Sequence, residues 1–223
     1  MTLPAQRTRI KICGLTREVD VEAAVAAGAD AIGLVFYERS PRYVSLERAM
    51  ALVRELPPFV TPVGLFVNAT PEEVRRVCEA IPHLVLQFHG DETPQQCEAT
   101  GRAYLRAARM APGFDLLHFA QRFATAQAVL LDAHVEGYGG GGKVFDWSLI
   151  PPGVPCPVVL SGGLNPANVT DGVLRVRPWA VDVSSGVESG KGIKDAALMR
   201  RFCQAVRDAD ERLAAATGEH PRC

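Results

Sequence analysis

The sequence predicts an α/β chain closed into a (β/α)8 TIM barrel with a shortened sixth helix. Three observations carry that expectation. Eight short apolar runs of strand type recur at a spacing of roughly 20–30 residues. The segments between most of them place apolar residues three and four apart, the period of a helix with one buried face. The runs themselves are near-continuously apolar, as in AIGLVF from Ala31 and VVLSGG from Val158, which suits a parallel sheet covered by helices on its outer face. Eight such units in 223 residues describe a compact barrel. A doubly wound open sheet is the rival arrangement.

Taken in order, the expected strands are Ile10 to Cys13, Ala31 to Phe36, Pro62 to Val67, Leu84 to Phe88, Tyr104 to Ala107, Ala128 to Asp132, Pro157 to Ser161 and Ala180 to Val183. The first helix is read from Val19, Ala23, Val25 and Ala26, and the last from Leu198, Phe202, Val206 and Leu213. Two helices share one start signal. Thr70-Pro71-Glu72-Glu73 and Thr93-Pro94-Gln95-Gln96 each supply a capping Thr, a Pro at the first helical position and Glu or Gln at the third. Asn165-Pro166 reads as a further helix start. The sixth unit is the weakest, because Gly137 to Gly142 followed by Lys143 to Pro152 leaves room for only about a turn or two of helix. All eight units are read as one domain, residues 1–223.

Composition narrows the function classes. Lys and Arg number 24 against 25 Asp and Glu, which argues against a nucleic-acid or membrane surface and toward a small polar ligand. No apolar run approaches the roughly 18 residues of a membrane span, and the start MTLPAQRTRIKICG has no apolar stretch of signal-peptide length. The six cysteines, Cys13, Cys78, Cys97, Cys156, Cys203 and Cys223, form no CxxC pair and read as small buried hydrophobes in a reducing compartment. A cytoplasmic location is expected. No His-x-x-x-His or similar spacing occurs, so no metal site is expected.

Chemistry concentrates at the strand ends. Gly137 to Lys143 meets most of the phosphate-loop pattern, but Val144 stands where a magnesium-binding hydroxyl is needed, and Pro151-Pro152 cut the next helix short. These glycines read instead as a substrate-covering loop or a flexible connection. Ser161-Gly162-Gly163 and Ser184-Ser185-Gly186 end the seventh and eighth strands. In barrels the loops at those positions frequently bind phosphate, through backbone N–H groups with no side chain at the point of closest approach. They also read as plain tight turns.

Period-two alternation points Lys11 and Cys13 into the barrel from the first strand, and Leu130 and Asp132 from the sixth. A thiol and a carboxyl at that end can form an acid/base pair if the thiol ionises, which calls for a positive neighbour. Lys11 either serves that purpose or forms an ion pair inside the barrel with Asp182, itself a further candidate for substrate binding. Arg42 on the loop after the second strand can hold a carboxylate bidentately, yet alone reads as a solvated surface charge. His89, ending the fourth strand, alone reads as a structural residue.

Together these stretches resemble the phosphoribosylanthranilate isomerases of tryptophan biosynthesis. The carrying segments are KICGLT, ADAIGLVFYERSPRYV, VGLFVN, LQFHGDE, LLDA, GGGGKVFDW, LSGGLNPANV and DVSSGVE, from Lys11 to Glu188 in the family's order. The resemblance implies an Amadori rearrangement with no cofactor and no metal, acting on a phosphorylated small molecule in a monomer or homodimer. It implies Asp132 as general acid opening the furanose ring, Cys13 as general base at the second carbon, and Arg42 on the anthranilate carboxylate. It further implies a phosphate site at Gly162, Gly163, Ser185 and Gly186, and gives His89 a motif position of unassigned role. Departures are Gly141 where the family usually has Thr, Phe88 where an aliphatic residue is commoner, and Lys191 where Pro is frequent. A related aminoaldose isomerase, which would use a pair of aspartates, fits Cys13 poorly; a non-catalytic sugar-phosphate-binding barrel leaves Cys13 and Asp132 without purpose.

Overall fold

The computed structural model describes residues 7–133 and 144–217. Eight parallel strands close on themselves: β1 Arg9–Cys13, β2 Ala31–Val35, β3 Thr61–Phe66, β4 Val85–Phe88, β5 Tyr104–Met110, β6 Ala128–Ala133, β7 Val158–Leu160 and β8 Ala180–Val183. Closure rules out the open sheet. It is made by β1 pairing with β8, with Lys11 opposite Asp182. The helices are α1 Glu18–Ala27, α2 Leu46–Arg54, α3 Pro71–Ala80, α4 Pro94–Glu98, α5 Leu116–Arg122, α6 Val169–Val176 and α7 Ala196–Thr217. Between β6 and β7 the described residues hold only a 3-10 turn, Trp147–Leu149, as the short sixth unit led us to expect. The glycine run Gly137 to Lys143, Gly141 included, lies outside the described residues.

Alternation sorts the side chains into two cores. Outward residues such as Ile10, Ile12, Leu34, Leu86 and Leu131 pack under the helices in the main core, while Ala107, Ala128, Leu130, Val159 and Ala180 form a separate cluster inside the barrel. Both Thr-Pro starts form reciprocal caps. Thr70 Oγ1 accepts from the Glu73 N–H while a Glu73 carboxylate oxygen accepts from the Thr70 N–H, and Thr93 and Gln96 repeat the arrangement.

Two local expectations need correction. The buried face of α1 is Asp20, Val21, Ala24 and Ala27, and Val19 is exposed. Asp20 can be buried because Arg17 donates to both its carboxylate oxygens, at 2.9 and 2.6 Å. At Asn165-Pro166 a turn precedes the helix. Asn165 Oδ1 accepts from the Ala167 N–H and Asn168 Oδ1 from the Asn165 N–H, both at 2.8 Å, so α6 starts three residues later, at Val169.

After β8 the chain makes a second 3-10 turn, Ser185–Val187, and a small hairpin, β9 Glu188–Gly190 with β10 Ile193–Lys194. The hairpin leans on the loops after β1 and β2: Thr16 Oγ1 donates to the Gly192 carbonyl at 2.8 Å. That contact delivers two charged side chains to the mouth of the barrel.

Candidate active site

Cys13 is the last residue of β1 and is 4% exposed. The turn that follows is pinned to β2, since the Gly14 and Leu15 N–H groups both donate to the Gly33 carbonyl. The thiol packs over Gly33, where a Cβ would stand 2.5 Å from Sγ. Below it, Lys11 Nζ donates to Asp182 Oδ1 at 2.8 Å, and Ser161 Oγ donates to the other Asp182 oxygen at 3.4 Å. Lys11 also pulls the thiol's pKa down. Lys11 is therefore a member of the ion pair inside the barrel and, at the same time, a cationic neighbour of the thiol. Burial opposes its charge, but attraction from Asp182 and then Cys13 outweighs that and keeps its pKa above the ordinary lysine range.

The thiol does not come out lowered. Burial pushes Cys13 above the ordinary cysteine range; Lys11 pulls it down, Asp182 pushes it up again and Lys194 pulls it down further. Desolvation of the thiolate exceeds what two ammonium groups recover, one of them shared with Asp182.

Asp132 sits at the same end of β6, with β7 and β8 between it and β1. Its Oδ1 accepts from the Ala133 N–H at 2.9 Å, and Oδ2 is 3.1 Å from His89 Nε2. His89 is thus the partner of the carboxyl and more than a structural residue. Its loop is held from two sides. Glu92 accepts from the Gly90 and Asn68 N–H groups at 2.9 and 2.7 Å, and Arg106, reaching outward from β5, donates to the Phe88 and Gly90 carbonyls at 2.8 and 2.9 Å. Behind the ring, Gln87 Nε2 is 3.3 Å from His89 Nδ1.

The loops after β7 and β8 meet beside this carboxyl. Gly162 has φ +78°, and a Cβ there would lie 2.6 Å from the Ala133 nitrogen and 3.1 Å from Asp132 Oδ1. Only glycine fits that position without moving the acid. Gly186 presses its backbone on the Leu164 carbonyl, so the two turns form one surface. The N–H groups of Gly162, Gly163, Ser185 and Gly186 engage no acceptor among the described residues.

Arg42 corrects the surface-charge expectation. It is 8% exposed, its aliphatic stem lies on Gly14, and Nε and Nη2 donate to the two Glu188 oxygens at 2.7 and 2.8 Å. Lys194 Nζ donates to Glu188 Oε1 at 2.8 Å and to the Ser184 carbonyl at 3.0 Å. Glu188 and Lys194 are the residues that sequence reasoning missed as site members. Glu188 closes the DVSSGVE segment, but no local period marks a side chain that acts 146 positions from its partner. Arg109, opposite Asp132 in register on β5, was missed as well; it donates to the His89 carbonyl at 3.3 Å.

The mouth thus carries a thiol in the field of two lysines, a carboxyl backed by a histidine, a guanidinium aimed by Glu188 and a double turn rich in N–H groups. Such a set can move one proton onto an oxygen and another off a carbon of a small anionic molecule. The N-(5'phosphoribosyl)anthranilate (PRA) isomerase family model matches residues 10–205. The N-(5'-phosphoribosyl)anthranilate isomerase of Leptothrix cholodnii is 80% identical over 212 residues, covering 95% of this chain and 96% of its own length. The crystal structure of phosphoribosyl anthranilate isomerase from Thermotoga maritima has a TM-score of 0.84 at 41% identity, covering 90% of this chain and 99% of that one. A phosphoribosyl anthranilate isomerase in complex with reduced 1-(o-carboxyphenylamino)-1-deoxyribulose 5-phosphate has a TM-score of 0.81 at 38% identity, covering 90% and 99%. With a model match across most of the chain and a relative at this identity, the chain belongs to the N-(5'-phosphoribosyl)anthranilate isomerase family.

Proposed function

We infer that this chain isomerises N-(5'-phosphoribosyl)anthranilate to 1-(2-carboxyphenylamino)-1-deoxyribulose 5-phosphate in tryptophan biosynthesis, by an Amadori rearrangement. The observation that carries the division of labour is the placement of Cys13 and Asp132 at one mouth of the barrel with different partners: lysines for the thiol, a histidine for the carboxyl.

Asp132 gives its proton to the furanose ring oxygen as the bond from the first carbon to that oxygen breaks. The electron pair stays on oxygen, and the anilino nitrogen supplies the pair that completes a protonated Schiff base. Cys13, as thiolate, removes the proton from the second carbon and the electrons neutralise the nitrogen, leaving an enolamine. Ketone formation returns the books to zero: the first carbon gains a proton from Cys13, and the enol hydroxyl gives one back to Asp132. No cofactor enters this sequence of steps. Lys11 and Lys194 support the thiolate when it forms, and the substrate's own cationic nitrogen adds to them.

We place the phosphate at Gly162, Gly163, Ser185 and Gly186, whose N–H groups suit an anion, and the anthranilate carboxylate at Arg42, oriented by Glu188. Asp182 is read as holding Lys11 in place under the substrate. The relative solved with a reduced deoxyribulose 5-phosphate compound supports a ligand of this class. The five described cysteines form no disulfide, which supports a cytoplasmic setting, and no helix among the described residues is long and apolar enough to cross a membrane. Monomer and homodimer are both compatible with this site, since every proposed group comes from one chain. The test is the anthranilate-type fluorescence after phosphoribosylanthranilate is added to purified protein. Loss much faster than spontaneous substrate hydrolysis is expected, and loss at the spontaneous rate overturns the assignment.

A further inference from the structure

Gln87 stands on β4, facing into the barrel behind His89, and is 0% exposed. Its Nε2 lies 3.3 Å from His89 Nδ1, whereas its Oε1 is buried with no hydrogen-bond partner. A buried carbonyl left without a donor costs about 1–3 kcal/mol, so this position calls for an explanation that packing does not give. Its chemistry supplies one.

An amide N–H pointing at Nδ1 requires that nitrogen to be an acceptor. In a neutral imidazole the ring proton then sits on Nε2, which is 3.1 Å from Asp132 Oδ2, and His89 donates to the carboxyl. With the opposite tautomer Nε2 would be bare, and a protonated Asp132 would spend its own proton on the histidine. The charged groups around the pair fix the ring's position without deciding this. Arg109 on β5 donates to the His89 carbonyl and stands 3.7 Å from Asp91, while Arg106 and Glu92 hold the loop backbone.

We propose that Gln87 is a positioning residue for the acid step: its amide locks His89 in the Nε2–H tautomer, so that Asp132 keeps its proton for the substrate and meets an N–H donor once that proton has left. The proton moves from the Asp132 carboxyl to the ring oxygen, the carbon–oxygen electron pair goes to that oxygen, and the histidine proton stays on Nε2 throughout. The unpartnered Oε1 is the cost of presenting Nε2 in this direction. This inference rests on Asp132 being the acid.

The test is 15N NMR of the His89 ring together with steady-state kinetics. In the unmodified protein the ring is expected in the Nε2–H form, with Nδ1 shifted as an acceptor. Gln87→Met, which keeps the side-chain length and removes the donor, is expected to yield a mixture of tautomers and to lower kcat about 10- to 100-fold with KM nearly unchanged. Gln87→Glu, of the same shape but able only to accept when ionised, is expected to place a proton on Nδ1 and do at least as much harm. A residue that merely filled space would tolerate both. An Nδ1–H tautomer in the unmodified protein, which needs no variant to fold, overturns the proposal. So does a folded Gln87→Met with unaltered tautomer and kcat. Asp132→Asn separates the two ideas: if it retains activity the acid assignment falls, whereas loss in Asp132→Asn with no change in Gln87→Met sinks the tautomer lock alone.

Discussion

The two mouths of the barrel are built from the same eight strands by the same alternation, yet they differ in chemistry. Toward the carboxyl ends the inward positions include Cys13, Gln87, Asp132, Ser161 and Asp182, each able to exchange or steer a proton. Toward the amino ends Ala31, Val63, Val85, Leu105, Ala128, Val159 and Ala180 surround a cavity of about 460 Å³ that Arg9, Lys11, Asp30, Thr61 and Gln127 also line, with the Arg9 guanidinium 3.9 Å over the ring of Trp179. Leu130 lies between the two sets on β6. The contrast teaches that facing inward decides only burial. Height along the strand decides whether a buried side chain meets loops, whose backbone groups are free to serve as partners, or only other strands, whose backbone groups are spent on the ladder and leave side chains such as Asp182 as the partners.

Substitutions at the upper mouth are therefore expected to cost activity ahead of stability. Cys13→Ser and Asp132→Asn are each expected to lower kcat by about 10²–10⁴, the range of a lost general acid or base, with the thermal midpoint moved little. The fluorescence assay and a melting curve decide it, and a near-normal rate in either variant removes that residue from the mechanism.

Lys11→Met attacks the boundary between the two regions. It strands the Asp182 carboxylate, which is 5% exposed, and a broken buried pair typically costs about 3–5 kcal/mol. The double variant Lys11→Met with Asp182→Leu is expected to recover most of that stability in denaturant titrations while remaining inactive, because Cys13 has lost its nearest cation. Equal destabilisation in single and double variants would show that the pair is not coupled.

A smaller effect is expected at the rim, where binding and chemistry separate. Arg42→Ala removes one charge-assisted partner of the aromatic carboxylate and is expected to raise KM by about 1.5–3 kcal/mol, roughly 10- to 100-fold, with a lesser effect on kcat. Unchanged kinetics would return Arg42 to a purely structural pairing with Glu188.

The same contrast explains what could be read from the chain before its shape was known. Strand alternation is local, so the inward direction of Cys13 and Asp132 was legible, and so were the Thr70 and Thr93 caps, which depend on residues three apart. Glu188 and Lys194 were not, because they reach Arg42 through a short hairpin whose placement depends on contacts such as Thr16 with Gly192. The buried face of α1 was misread because a paired aspartate counts as polar in a periodicity search but packs as part of the core. The ionisation of Cys13 was likewise hidden: sequence places Lys11 two residues away, but not the desolvation that outweighs it.

The smallest prediction separates the reactive cysteine from one that only fills space. Cys203 on α7 is fully buried among apolar side chains, and that burial, little relieved by Arg207, pushes its thiol up to about 11. In the unfolded chain the same thiol ionises near about 8.5. Above that pH the unfolded state has released a proton that the folded state still holds, so stability is full below the unfolded value and falls as pH rises toward the folded one. At pH 10 the loss from this residue comes to about 1–2 kcal/mol. Cys203→Val, which cannot ionise, is expected to flatten the alkaline fall of the denaturation midpoint by that amount and to leave the pH–rate profile unchanged, since that profile follows Cys13 and the lysines around it. A Cys203→Val protein whose alkaline stability curve runs parallel to that of the parent would show that burial at α7 does not hold the thiol neutral.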